Sequence, residues 1–203
     1  HLTLHNLDTS HLVPGKFGQA LSFNGVSQFL SLTNQGQKHL PVYSLGEFTI
    51  AMWVRGEERQ DNRIVFAEGS LTDKTPLFLF GTHREAKGGQ LNVFVRNRGA
   101  ILNNIPTDGV AFNNQWRHIT WVNSGNIGKV YINGELNTEY RYERPTLPLN
   151  YLSIGALFRE PPAYFFKGEM DEIAIWERSL TTREIKELVT SGIKTEPPVS
   201  GAE

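Results

Sequence analysis

The chain has 203 residues, 39% of them hydrophobic, enough for one substantial core, and an all-β sandwich of this length is commonly a single domain. Its 20 basic and 21 acidic residues leave a formal net charge of −1, so no long-range field gathers nucleic acid or an anionic membrane. The cysteine count of 0 excludes disulfides, thiolate metal sites and thiol catalysis.

Residues 1–14 carry neither the basic nor the apolar region of a signal peptide, and they read as an N-terminal extension. A start at His1 rather than Met suggests an excised domain or a processed product. In Phe48-Thr49-Ile50-Ala51-Met52-Trp53-Val54-Arg55, period-two alternation sets Phe48, Ile50, Met52 and Val54 on one strand face and Trp53 and Arg55 on the other. Leu91, Val93 and Val95 alternate in the same way with Asn92, Phe94 and Arg96, and Val130 and Ile132 with Tyr131 and Asn133. Asn133-Gly134 is the strongest hairpin signal in the chain. Joints at Asn24-Gly25, Gly88-Gly89, Asn103-Asn104, Asp108-Gly109 and Gly125-Asn126 divide the remainder into short strands, the pattern of an antiparallel sandwich.

One helix is expected, over 182–190, with Thr181 as N-cap, Glu184 completing a capping box and Gly192 at the C-terminal cap. A helix this short is marginal alone, so its Ile185, Leu188 and Val189 stripe must dock on the sandwich. Residues 15–193 then form the domain, and 194–203, with Pro197-Pro198, a linker or disordered tail. No apolar run approaches the ~20 residues that cross a bilayer, so no membrane insertion is expected.

The order of Gly15-Lys16-Phe17-Gly18 with Phe23-Asn24-Gly25, then Phe48 to Val54, Trp116-Arg117-His118, Gly155-Ala156-Leu157 and Gly168-Glu169-Met170-Asp171-Glu172 running into Ser179-Leu180-Thr181 resembles the laminin-G-like, or concanavalin-A-like, jelly-roll family. The resemblance covers roughly residues 15–190. It implies a two-sheet antiparallel β-sandwich with one short C-terminal helix, and only a broad range of functions, since this fold hosts lectin-like modules, glycosidase accessory domains, pentraxins, adhesion domains and a few enzymes.

The acidic strand admits three readings. Laminarinase-like glycosidases with this fold use Glu-x-Asp followed by a second Glu on one strand face. Here Glu169 and Asp171 have the first spacing, but alternation puts Ile173 at the next same-face position and turns Glu172 away. The family resemblance implies a structural calcium held by Asn24 and Asp171, with Asn24 standing where the family carries Asp and so lowering the site's charge. The third reading is a hydrogen-bonded strut without metal. His1 and His5 share spacing for a zinc pair but lack an evident third ligand.

Sugars are held by aromatic faces and planar polar groups, with arginine adding selectivity for anionic glycans. Alternation proposes Trp53, Arg55, Arg96 and Tyr131 as such a ligand-binding set. In Glu160-Pro161-Pro162-Ala163-Tyr164-Phe165-Phe166, alternation cannot bury three successive aromatics, so at least one lies exposed or under a loop. The expected function is a non-catalytic recognition module for carbohydrate, within a larger exported, periplasmic or cell-surface protein, bacterial surface proteins among them. A protein-interaction or structural domain is the alternative, and a laminarinase-like hydrolase the third.

Overall fold

The structure, a computed structural model, describes residues 2–34, 40–82 and 88–194. Its strands are β1 (Thr3–His5), β2 (Leu12–Pro14), β3 (Gln19–Asn24), β4 (Phe29–Thr33), β5 (Glu47–Gly56), β6 (Ile64–Gly69), β7 (Leu77–Thr82), β8 (Gln90–Asn97), β9 (Gly99–Val110), β10 (Arg117–Ser124), β11 (Ile127–Ile132), β12 (Glu135–Arg141), β13 (Tyr151–Ile154) and β14 (Lys167–Trp176), followed by helix α1 (Thr182–Ser191). They form two 7-stranded sheets. The first has the order β1-β4-β13-β6-β7-β8-β9 and the second β12-β11-β10-β5-β14-β3-β2, and the strand pairs within them are antiparallel. This is the jelly-roll sandwich that the sequence pattern indicated.

Alternation is what closes the core. Phe48, Ile50, Met52 and Val54 of β5 are fully buried and meet Val65, Phe66, Phe78, Phe80, Leu91, Val93 and Val95 of the first sheet. Asn133 and Gly134, at φ 50° and 84°, make the turn between β11 and β12, where glycine adopts a left-handed conformation without steric cost. The joints expected at Asn103-Asn104 and Asp108-Gly109 do not break the chain. Both lie inside the long strand β9, whose register shifts against β8 absorb the irregularity, with Asn104 at φ 54°.

The residues read as an extension supply β1 and β2, each at one edge of a sheet. Of the tail, residues 195–203 lie outside the described residues. A buried carboxylate anchors the turn that carries the chain from β4 to β5: Glu68, with 0% exposure, accepts from Val42 N–H at 2.6 Å and Tyr43 N–H at 2.8 Å. Burial pushes its pKa up to about 7, against the opposing pull of those two N–H groups and of Arg144.

Candidate functional site

The acidic strand departs from simple alternation. The pairing of β14 with β5 runs Asp171 opposite Trp53 and then Ala174 opposite Ala51, so Glu172 and Ile173 together oppose Met52 in a bulge, with Glu172 at φ 50°. Ile173 consequently packs against the core instead of sharing a face with Asp171. Glu172 does not turn away to an empty side; its Oε2 accepts from Ile193 N–H beyond the helix. The bulge reverses the sequence-based assignment at both positions.

Asp171 is committed to backbone. Its Oδ2 accepts from Phe17 N–H and its Oδ1 from Glu172 N–H, both at 2.8 Å, and Gly15 packs so closely on the carboxylate that a Cβ there would collide with Oδ2. Asn24 pairs with Lys167, four positions along β14 from Asp171, about 13 Å at strand rise. Its Oδ1 accepts from Val26 N–H and Ser27 N–H. One calcium ion with ligand distances of about 2.3–2.6 Å does not span that separation, so these two residues do not fit a shared calcium. Among the described residues no three His, Cys, Asp or Glu side chains are grouped to hold a metal. His5 stacks on Phe29 at 4.0 Å and pairs with Ser31 Oγ at 2.8 Å, and His1 lies outside the described residues.

The four residues proposed as a ligand surface are not on one face. Trp53, Arg55 and Tyr131 belong to the outer side of the second sheet, whereas Arg96 lies on the outer side of the first. Trp53 is only 4% exposed: Lys16 Nζ sits 4.7 Å from its ring centroid, Phe17 meets it edge-on at 6.2 Å and His118 at 5.3 Å. Tyr131 is buried under α1 with Val122, Leu180 and Ile185. Arg55 is paired with Glu169 and stacks over Trp116 at 5.3 Å. The strap of residues 15–18 and the helix have taken the face that strand alternation alone leaves open. Burial also drives the His118 pKa down to about 4.

Arg96 belongs instead to a groove of about 390 Å³ on the outer side of the first sheet, lined among others by Leu77, Leu79, Phe94, Asn103, Arg159 and Tyr164. This volume lies in the range of small-molecule sites. The floor is apolar because β6 and β7 direct Ile64, Leu77 and Leu79 outward, where they pack with Leu157 as a second cluster. The wall is the Pro-Pro loop. Leu157 and Ala163 exchange backbone hydrogen bonds at 2.9 and 3.1 Å, and Ile64 N–H donates to Tyr164 O at 2.9 Å. Those ties fix Tyr164 with 37% exposure at φ 60°, while Phe166 is fully buried. Tyr164 is thus the exposed aromatic that the run of three required.

Polar groups rim the groove. Arg96 donates from Nε to Thr75 O at 2.7 Å and from Nη2 to Lys74 O at 2.6 Å, which holds its guanidinium in place. Arg159 lies 5.0 Å from the Tyr164 ring centroid. Asn92 donates to Asn104 Oδ1 at 2.9 Å, and Asn104 in turn donates to Asn103 Oδ1 at 3.1 Å, leaving the exposed Asn103 amide at the rim. A flat aromatic face, two planar guanidiniums and a side-chain amide over an apolar floor form an arrangement suited to a polyhydroxylated ring.

An antiparallel jelly roll with a groove on its outer sheet face defines a broad class of binding and hydrolytic domains. The sequence profile of the concanavalin A-like lectin/glucanases superfamily matches residues 24–186, and the chain belongs to that superfamily. No curated protein matches it. Among solved structures it is similar to domain 4 of the extracellular GH43 arabinanase AbnA from Geobacillus stearothermophilus, in complex with arabinotriose, at 20% identity and TM-score 0.63, covering 88% of this chain and 80% of that one. The native heptameric SAP-like pentraxin of Limulus polyphemus matches at 16% identity and TM-score 0.56, with 85% and 82% covered. The sialidase of Trypanosoma rangeli matches at 19% identity and TM-score 0.65 over 92% of this chain but 29% of its own. At these identities the likeness is one of fold.

Proposed function

We propose that this domain is a non-catalytic recognition module that binds carbohydrate in the groove beneath Tyr164, within a larger exported or cell-surface protein. The observation that carries the reading is the exposed Tyr164 ring, fixed by the Ile64 and Ala163 backbone ties at the mouth of an apolar-floored, polar-rimmed groove. The arabinanase domain solved with arabinotriose supports it as a precedent for a sugar ligand on this fold. Hydrolysis by paired carboxylates needs two acids across the scissile bond, and none of the described residues lining this groove is acidic. Glu57 and Glu169, which share a second groove, are each paired with a cation, Lys167 and Arg55.

The test is a glycan array probed with the wild type and with Tyr164→Ala. Reproducible glycan hits that the variant loses support the reading. An absence of hits removes the carbohydrate assignment, and release of reducing sugar from any hit replaces recognition with hydrolysis.

A further inference from the structure

We infer that the groove selects an acidic saccharide, one bearing a carboxylate or a sulfate, over its neutral counterpart; this rests on the recognition reading above. The argument is one of charge and donor geometry. Among the described residues of the groove lining the two charged ones, Arg96 and Arg159, are cationic. A guanidinium offers five N–H donors in a planar fork, and Arg96 gives two of its donors to Thr75 O and Lys74 O, keeping the others in a fixed orientation. Arg159 has no ion pair among the described residues, and its contact is the Tyr164 ring face. It also lies near the buried Tyr151, which lines the adjoining small pit.

One acid lies nearby but outside the groove. Asp73 approaches Arg98 and Arg96 from the adjoining loop, and it lines the small pit that Arg96 and Arg159 also line, not the groove itself. The same loop is joined to the Pro-Pro loop by Lys74 Nζ, which donates to Glu160 O at 2.9 Å, so Arg96 and Arg159 are carried by walls tied to each other. A pyranose laid on Tyr164 therefore has cationic forks on the rim and, among the described residues, no carboxylate in the lining to repel an acidic substituent. Planar or tetrahedral oxyanions accept two parallel N–H bonds from such a fork, whereas a lone hydroxyl does not.

The experiment is a panel of neutral, uronate-bearing, sialate-bearing and sulfated glycans, followed by calorimetric titration of the tightest hit beside its methyl-esterified or desulfated form. The carboxylate and sulfate arms separate the two sources of negative charge. The expected result is acidic hits that lose about tenfold or more in affinity when the charge is masked and weaken as salt rises, with a comparable loss in Arg159→Gln. Arg96→Gln is a second variant, but it also strips two carbonyls of their donor, so Arg159→Gln is decisive. Neutral glycans bound as tightly as acidic ones overturn the selectivity and leave the recognition reading standing. Acidic hits unaffected in a folded Arg159→Gln protein overturn it as well, and a panel without hits overturns both.

Discussion

The Arg159 guanidinium lies 5.0 Å from the ring centroid of Tyr164, and both side chains project from the loop clamped by the Leu157–Ala163 backbone pair. The contact holds an exposed aromatic face at a positive φ of 60°, a conformation that costs of order 1 kcal/mol for a residue with a Cβ. Backbone strain of this kind at a groove mouth is consistent with a position kept for its side chain.

Tyr164→Gly relieves that backbone strain while deleting the ring. Urea unfolding is expected to give a stability within about 1 kcal/mol of wild type or above it, with glycan binding abolished. A loss of several kcal/mol would make Tyr164 a packing residue and remove the reason for placing ligand on it.

Trp53→Ala is expected to behave in the opposite way. The ring is enclosed by Lys16, Phe17 and His118, so truncation costs about 3–5 kcal/mol of folding stability. Any glycan affinity of the fraction that remains folded is unchanged. A small stability effect coupled to lost binding would return the site to the second sheet.

Two buried groups give stability opposite pH dependences. The Glu68 pKa is raised by burial to about 7, so the native state holds a proton that the unfolded chain releases; its contribution is complete below about 4.5 and is lost as pH rises through 7. The His118 pKa is lowered to about 4, so its contribution is complete above about 6.5 and is lost as pH falls through 4. Urea titrations across pH 4–8 should show the stability of wild type relative to Glu68→Gln falling by up to about 3 kcal/mol from pH 4.5 to 7. Relative to His118→Gln it should fall as pH drops from 6.5 to 4. Parallel curves for wild type and either variant would contradict that assignment.

Asp171→Ala strips the acceptors of the partly buried Phe17 N–H and Glu172 N–H; a fully buried unsatisfied donor costs about 1–3 kcal/mol, and these cost up to that. The melting temperature is expected to fall in the variant. In wild type, neither chelator nor millimolar calcium should move it, because Asn24, opposite Lys167, and Asp171, four positions along β14, are too far apart to share an ion. A rise on adding calcium that Asp171→Ala abolishes would reinstate the metal.

Much of the fold was legible because its signals are local. The inward set Phe48, Ile50, Met52 and Val54, the Asn133-Gly134 hairpin and the Thr181–Glu184 capping box each follow from residues a few positions apart, and each is present. The ligand surface was not legible as a whole, because alternation gives the face of a strand but not the sheet it joins: Arg96 and Trp53 alternate alike and end on opposite sides of the sandwich. What covers an outward face is also non-local. Residues 16 and 17 and helix α1 arrive over Trp53 and Tyr131 from distant parts of the chain. The bulge at Glu172-Ile173 has no side-chain signature, so Ile173 was assigned to the wrong face. The groove did leave one trace, the crowding of Tyr164, Phe165 and Phe166 after two prolines, which required an exposed ring without saying over what.

Chemical-shift mapping of the 15N-labelled domain against its tightest glycan tests the central claim most directly. The account predicts perturbations confined to Phe94, Arg96, Asn103 and Asn104 and to the loop from Leu157 to Tyr164, with Trp53, Trp116 and Tyr131 unmoved. Shifts centred on Trp53 and Arg55, or a glycan panel that perturbs no residue, would contradict it.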